Sequence, residues 1–146
     1  MEYSVRAARI TDVERIIALS GVPADAGDLL RQLVYLPHAS VIVAEWRREI
    51  VGGAVLAIRP SIQAGGFVGV LDLLAVGAAH DADRVTELLL EEVVRSARNK
   101  GCAVVEAPQP ADPAERTRWA RLGFHDAGPL MERAVEPVGA AGRRAR

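Results

Sequence analysis

Along residues 3–9, Tyr3, Val5 and Ala7 alternate with Ser4, Arg6 and Ala8, the period-two pattern of a half-buried strand. Thr11-Asp12-Val13-Glu14 then fits a capping box, a hydroxyl at a helix start with a carboxylate three residues on. Val13, Ile16, Ile17 and Ser20 continue as a helical stripe that stops at Gly21. Pro23 and Asp25 punctuate the chain, and Leu29, Leu30, Leu33 and Val34 predict a second short helix ending before Pro37. Residues 40–45 and 50–58 are β-rich runs around Arg47-Arg48-Glu49 and predict a hairpin. The Gly52-Gly53 pair inside the second run marks a bulge or a close backbone approach. Residues 60–66 form a loop. Residues 67–76 are nearly all apolar around one carboxylate, Asp72, which predicts a strand covered on both faces.

The longest helix is predicted over 81–100, where Val85, Leu88, Leu89, Val93 and Ala97 keep helical spacing and Lys100-Gly101 supplies a basic last turn and a C-terminal glycine. A strand follows at 102–107. Pro108, Pro110 and Pro113 lead into a helix over 113–122, stopped by Gly123. Short strands are expected at 124–126 and 130–135. The order is β-α-α-β-β-β-α-β-α-β-β, with no internal repeat. Residues 1–135 form the expected domain. The Gly/Ala/Arg-rich tail, 136–146, carries no pattern and is expected to be disordered.

Composition narrows the classes. A chain of 146 residues, half of them hydrophobic, suits one domain with its own core. Eighteen basic residues against 19 acidic leave a net charge of −1, which argues against nucleic acid or an anionic membrane as partner. Arg143, Arg144 and Arg146 are too few for a nucleic-acid arm. The start of the chain does not read as a signal peptide, no apolar run reaches the roughly 18 residues of a membrane helix, and Cys102 alone makes no internal disulfide. The expected setting is the cytoplasm. Lys100 is the single lysine, an arginine bias that fits a GC-rich, bacterial genome. His38, His80 and His125 stand apart, so no metal site is expected. Cys102 reads as a small core residue. Neither a G-x-S-x-G elbow nor a G-x-x-x-x-G-K loop occurs.

The element order, with three local patterns, resembles the GCN5-related N-acetyltransferase (GNAT) superfamily. Val5-Arg6-Ala7-Ala8 with Asp12, Ile16 and Leu19 is similar to that family's opening strand and helix. Leu71-Asp72-Leu73-Leu74-Ala75-Val76 is similar to its central fourth strand, and Arg121-Leu122-Gly123-Phe124 to the end of its last helix, where members commonly read Tyr-x-x-x-Gly-Phe. The resemblance implies an α/β (α+β) fold, a mixed, mostly antiparallel sheet of about six or seven strands flanked by about four helices. It implies transfer of an acetyl group from acetyl-CoA, as co-substrate, to the amine of a small molecule or peptide. The acceptor loops, 21–39 and 60–66, carry no charge cluster that names this amine. An edge at the final strands would let two copies pair as a homodimer.

By the same resemblance, the coenzyme's pantetheine arm lies along Leu74, Ala75 and Val76, and its pyrophosphate on the turn that opens the next helix. Free N–H groups and the helix dipole favour an anion there. Members usually spell that turn Arg/Gln-x-x-Gly-x-Gly/Ala. Here it reads Asp81-Ala82-Asp83-Arg84-Val85-Thr86. Asp81 replaces Arg or Gln, and Arg84 and Thr86 replace the glycines. Asp81 or Asp83 can instead cap the helix itself, in the place a phosphate would take. Arg84, Val85 and Thr86 remain the candidate phosphate contacts. Asp72 is the first candidate base for the amine, its apolar neighbours expected to raise its pKa, set against a purely structural role or an open cleft. Glu106 is the second candidate. Trp119 stands where many members carry the tyrosine that protonates the departing thiolate. An indole N–H is no acid, so Trp119 packs either on the coenzyme or on the core. The alternative reading is a catalytically silent domain of this fold, a ligand sensor or interaction module.

Overall fold

Strict alternation in the second strand decides the layering. Val41 and Val43 point to one face of the sheet and Ile42 and Ala44 to the other, and all four are buried, so both faces must be covered. The computed structural model, which describes residues 2–129, 131 and 133–135, meets that demand with helices on either side of a five-stranded sheet. In chain order the elements are β1 (Ser4–Ala7), a 3-10 turn (Ile10–Asp12), α1 (Val13–Ser20), α2 (Ala26–Leu33), β2 (Ala39–Trp46), β3 (Glu49–Ser61), β4 (Gly66–Val76), α3 (Ala82–Asn99), β5 (Cys102–Glu106) and α4 (Pro113–Arg121). Spatial order follows sequence order. β1 to β4 are antiparallel neighbours, and β5 joins β4 in parallel after the α3 crossover.

One core layer sets Val13 and Ile16 of α1 and Leu30 of α2 against Val41, Val43 and Val55. The other sets Val85, Leu89, Leu90, Val93 and Ala97 of α3 against Ile42, Ala54, Leu56 and Leu71. The α3 stripe follows the predicted spacing at Val85, Leu89, Val93 and Ala97, but Leu88 stays only half-buried and Leu90 enters the core in its place. Each fully buried aliphatic side chain there contributes about 1.5–3 kcal/mol. The Gly52-Gly53 pair proves to be a close approach on both faces. A Cβ on Gly52 would meet α3 and one on Gly53 would meet Ile16 of α1.

The capping box forms two residues earlier than its sequence suggests. Thr11 is exposed, and Asp12 reaches back to accept the Arg9 amide at 2.8 Å. Asp12 wins because Arg6, projecting from β1, grips the same carboxylate at 2.8 and 3.2 Å and also reaches Glu45 on β2. These bonds hold the Asp12 carboxyl below its usual range, although burial pushes it up. The ionised form is therefore favoured in the folded chain. Its stabilisation is present above the unfolded carboxylate's pKa and is lost as the pH falls through the folded one. Asp12→Asn should cost about 2 kcal/mol at neutral pH, less than a fully buried pair because Arg6 stays 24% exposed. The variant's urea midpoint should also fall less than the wild type's between about pH 6 and about pH 3.

Three expectations need correction. Residues 124–126 do not form a strand. Phe124 instead closes α4, its amide donating to the Trp119 carbonyl at 3.2 Å while the Gly123 amide donates to Ala120, with Gly123 at φ 95°. This is the glycine-terminated helix end in which the residue after the glycine folds back, so Phe124 is used in packing against Trp119. Of the expected strand at 130–135, Leu130 and Glu132 lie outside the described residues, and the rest has no regular structure. Among the described residues the sheet has five strands where six or seven were expected, within the expected fold class. Finally, β4 is not covered along its whole length, since Phe67 and Asp72 are exposed. The tail, 136–146, lies outside the described residues. Among the described residues no helix is long and apolar enough to cross a membrane, and no group of side chains is suited to hold a metal ion.

Candidate active site

β4 and β5 run together only briefly. Phe67 pairs with Cys102, Val68 with Val104, Gly69 with Val105 and Val70 with Glu106, and there the pairing ends. On its other side β4 stays bonded to β3 as far as Val76. Just past the parting, the β3–β4 register jumps from Leu56–Leu71 to Val55–Leu73, which leaves Asp72 as the extra residue of a β-bulge. A bulge increases local twist and re-aims the strand. From Asp72 onward β4 therefore presents a backbone edge that pairs with no strand among the described residues, through Leu74, Ala75 and Val76.

The bulge turns the Asp72 carboxylate outward. It is exposed and makes no hydrogen bond or ion pair among the described residues, so the expected apolar enclosure is absent. Glu106 stands opposite Val70, at the last paired position of β5, and its carboxylate is bound by Arg59 at 2.8 Å. Arg59 lies on β3 opposite Val68, so this ion pair bridges β3 and β5 across β4. The parting of the strands thus brings both candidate acids near one point, Asp72 unpaired and Glu106 neutralised. Cys102, at the start of β5, is half-buried, and burial pushes its thiol up, which suits packing better than nucleophilic chemistry.

The edge leads through Gly77 to the start of α3. There Asp81 caps the helix as its sequence implies, its carboxylate accepting the Arg84 amide at 3.1 Å while its carbonyl accepts that of Val85 at 3.0 Å. Arg84 is paired with Glu87 at 3.2 Å, Val85 is fully buried and Thr86 nearly so. Of these three candidate contacts, Val85 and Thr86 direct their side chains into the core. Trp119, on α4, is also a core residue. It is 8% exposed, packs 5.2 Å from Phe124, and its indole N–H finds no acceptor among the described residues.

Sequence reading missed the frame around this helix start. The Tyr3 hydroxyl accepts the Asp81 amide at 3.0 Å across 78 positions of chain. The His80 ring lies between Tyr3 and Trp46, at 6.1 and 5.3 Å. Its Nε2 is 4.0 Å from Glu49, while its Nδ1 is buried without a partner among the described residues. Arg118 of α4 binds Asp83 of α3 and Glu115 of its own helix. No local pattern announces contacts between elements so far apart in the chain. The scarcity of aromatics was the available signal, since half of them, Tyr3, Trp46 and Trp119, lie around this helix or on the one beside it.

The profile described as the Acetyltransferase (GNAT) family matches residues 8–124. Among curated proteins there is no significant match. Solved structures superpose closely. A transcriptional regulator from Bacillus halodurans C-125 has a TM-score of 0.79 at 15% identity, over 92% of this chain and all of that one. Glucosamine-6-phosphate N-acetyltransferase from Arabidopsis thaliana has a TM-score of 0.76 at 15% identity, over 93% of this chain and all of that one. The structure of AAC(6')-Iy in complex with a bisubstrate analog, CoA-S-monomethyl-acetylneamine, has a TM-score of 0.78 at 20% identity, over 94% of this chain and all of that one. At such identities the likeness is one of fold.

Proposed function

Because this chain belongs to the acetyltransferase (GNAT) family, we propose that it is an N-acetyltransferase that moves an acetyl group from acetyl-CoA to the amine of a small molecule or peptide. The observation that carries this reading is the open edge of β4 beyond the bulge at Asp72. A strand edge offers alternating N–H and C=O groups to any extended partner that carries amides, and a pantetheine arm is such a partner. Leu74, Ala75 and Val76 would hold it. Its acetyl thioester supplies an acyl group already activated for displacement.

The chain's own residues then have two tasks. β4 aligns the donor beside the point where the strands part. Asp72, exposed and without a partner, takes a proton from the acceptor's ammonium group and frees the nitrogen lone pair. As the C–N bond forms, the C–S bond breaks with its electron pair on sulfur. The second proton lost from nitrogen balances the one the thiolate gains, and that proton comes through water, since Trp119 has no acidic hydrogen to give. Glu106 is a poorer base because Arg59 already holds its carboxylate.

Calorimetric titration at moderate salt tests the reading. Acetyl-CoA and coenzyme A should each bind saturably, with Kd between about 10 μM and about 1 mM. No heat and no thermal shift at about 1 mM ligand would sink it. The occupied helix start at Asp81 favours one other reading, a catalytically silent sensor of the same fold. It is distinguished by coenzyme binding without acetylation of any amine in a broad panel.

A further inference from the structure

We propose that this chain recognises its acyl donor through the pantetheine arm alone, without the adenosine diphosphate half of the coenzyme, so that a thioester whose arm ends in an alcohol or a single phosphate serves as well as acetyl-CoA. This inference rests on the acyltransferase reading and concerns how its donor is held.

The two halves of a coenzyme A thioester make different demands. The pantetheine half is neutral and rich in amides, and needs a free strand edge. The adenosine half carries a diphosphate and a third phosphate, and needs unengaged N–H donors and cations. The chain meets the first demand along Leu74, Ala75 and Val76. Against the second, three backbone groups at the α3 start are already engaged. The Asp81 carboxylate is already the anion at the α3 N-terminus, bonded to the Arg84 amide, and the Val85 amide is taken by the Asp81 carbonyl. The Asp81 amide itself is held by Tyr3.

Two nearby cations are engaged as well. Arg84 is held by Glu87, and Arg118, which reaches this corner from α4, lies between Asp83 and Glu115. Arg47 lies over the Trp46 ring at 4.7 Å, and that ring in turn packs 5.3 Å from His80. Asp81, Asp83, Glu87 and Glu115 outnumber Arg84 and Arg118, the two arginines paired among them, and these acids oppose a diphosphate brought here. A loop with free amides is re-formed by a small backbone shift. Here an incoming phosphate must first displace a carboxylate that belongs to the helix. The same geometry leaves the β4 edge untouched, so an arm without the diphosphate loses nothing.

The transfer is unchanged by this choice. The amine nitrogen bonds to the acyl carbon, the carbon–sulfur bond breaks, and the thiol released is that of coenzyme A, pantetheine or phosphopantetheine, whichever carried the acyl group. Two sources supply such an arm, a free small thioester and the phosphopantetheine group carried on a serine of a carrier protein.

Titrations of the intact chain with pantetheine, 4'-phosphopantetheine and coenzyme A test the proposal directly. The three affinities should lie within about threefold of one another, and that of coenzyme A should change less than about twofold between about 50 and about 300 mM NaCl. Coenzyme A binding more than about 30-fold tighter than pantetheine would overturn the proposal and leave the acyltransferase reading standing. Binding of none of the three would overturn both. A holo carrier protein bound at least about tenfold tighter than free 4'-phosphopantetheine would assign the source to the protein-borne arm, and equal affinity to the free thioester. The variant Asp81→Ser with Asp83→Asn keeps a capping side chain and removes both charges. It should tighten coenzyme A by about tenfold and leave pantetheine within about twofold. An unchanged ratio in that variant would contradict the role given to the two acids.

Discussion

Asp72→Asn should lower turnover by about 10²- to 10⁴-fold while donor affinity stays within about twofold, the loss expected when a positioned general base is removed. The substitution keeps the shape of the side chain and takes away its capacity to accept a proton. Asp72 is the residue to test because it is the bulged position of β4, beside the last pair that joins β4 to β5, and because its carboxylate is exposed and unpartnered among the described residues. The exposure that leaves it reachable by an amine also makes its replacement harmless to the fold. The urea midpoint should therefore stay within the scatter of surface substitutions, about 0.5 kcal/mol. Thiol release and product formation, followed with an amine that the wild type acetylates, give the turnover. Raising the acceptor concentration should not restore it, because the loss lies in proton transfer and not in binding. Full turnover in Asp72→Asn would remove Asp72 from the mechanism. Glu106→Gln would be the next variant, with the complication that it also frees Arg59.

The parts of this molecule that were legible in the sequence are those governed by neighbours in the chain. The periodicity of Val85, Leu89, Val93 and Ala97 reports a helix face because those residues share one surface, and that surface is the one packed on the sheet. Asp81 was readable as a cap for the same reason, since its partner is the Arg84 amide three residues on. Phe124 shows where local reading fails. An aromatic just after a helix-ending glycine looks like the start of a strand, yet whether it pairs depends on an edge supplied by β5, and here the ring is drawn back onto Trp119. The bulge at Asp72 was hidden as well, because a bulge is a mismatch between two strands and has no mark in either one alone. The sequence named Asp72 and placed it in β4, but its outward aim comes from the register with β3. The shift from Thr11 to Asp12 at the first helix has a similar origin, an arginine on β1 that selects one of two adjacent polar residues.

Gly52→Val should be the most damaging single change in the sheet, with a loss of about 3 kcal/mol or more, whereas Gly66→Ala should fall within about 0.5 kcal/mol of the wild type. Gly52 lies on β3 opposite Val76, beneath the first turns of α3. A Cβ placed there would sit 2.9 Å from Cγ1 of Val85, 3.1 Å from Cδ1 of Leu89 and 3.1 Å from the carbonyl oxygen of Ala75. The first two atoms belong to side chains that are fully buried and have no room to turn away, and the third is backbone of β4. Relief requires α3 to lift from the sheet or the Ala75 peptide to move, and each disturbs the edge assigned to the donor. A Cβ on Gly66 would meet no atom within 4 Å, so that position reports the cost of losing a glycine without the clash. Gly52→Ala separates the two consequences. Its smaller loss, about 1–2 kcal/mol by urea midpoint, leaves a folded chain whose donor affinity can be measured. That affinity should fall by about threefold or more, because the displaced groups are Ala75 and the first turns of α3. A Gly52→Ala chain with wild-type stability and wild-type donor affinity would show that the contact between α3 and the sheet yields without cost, and that the position of the β4 edge does not depend on it.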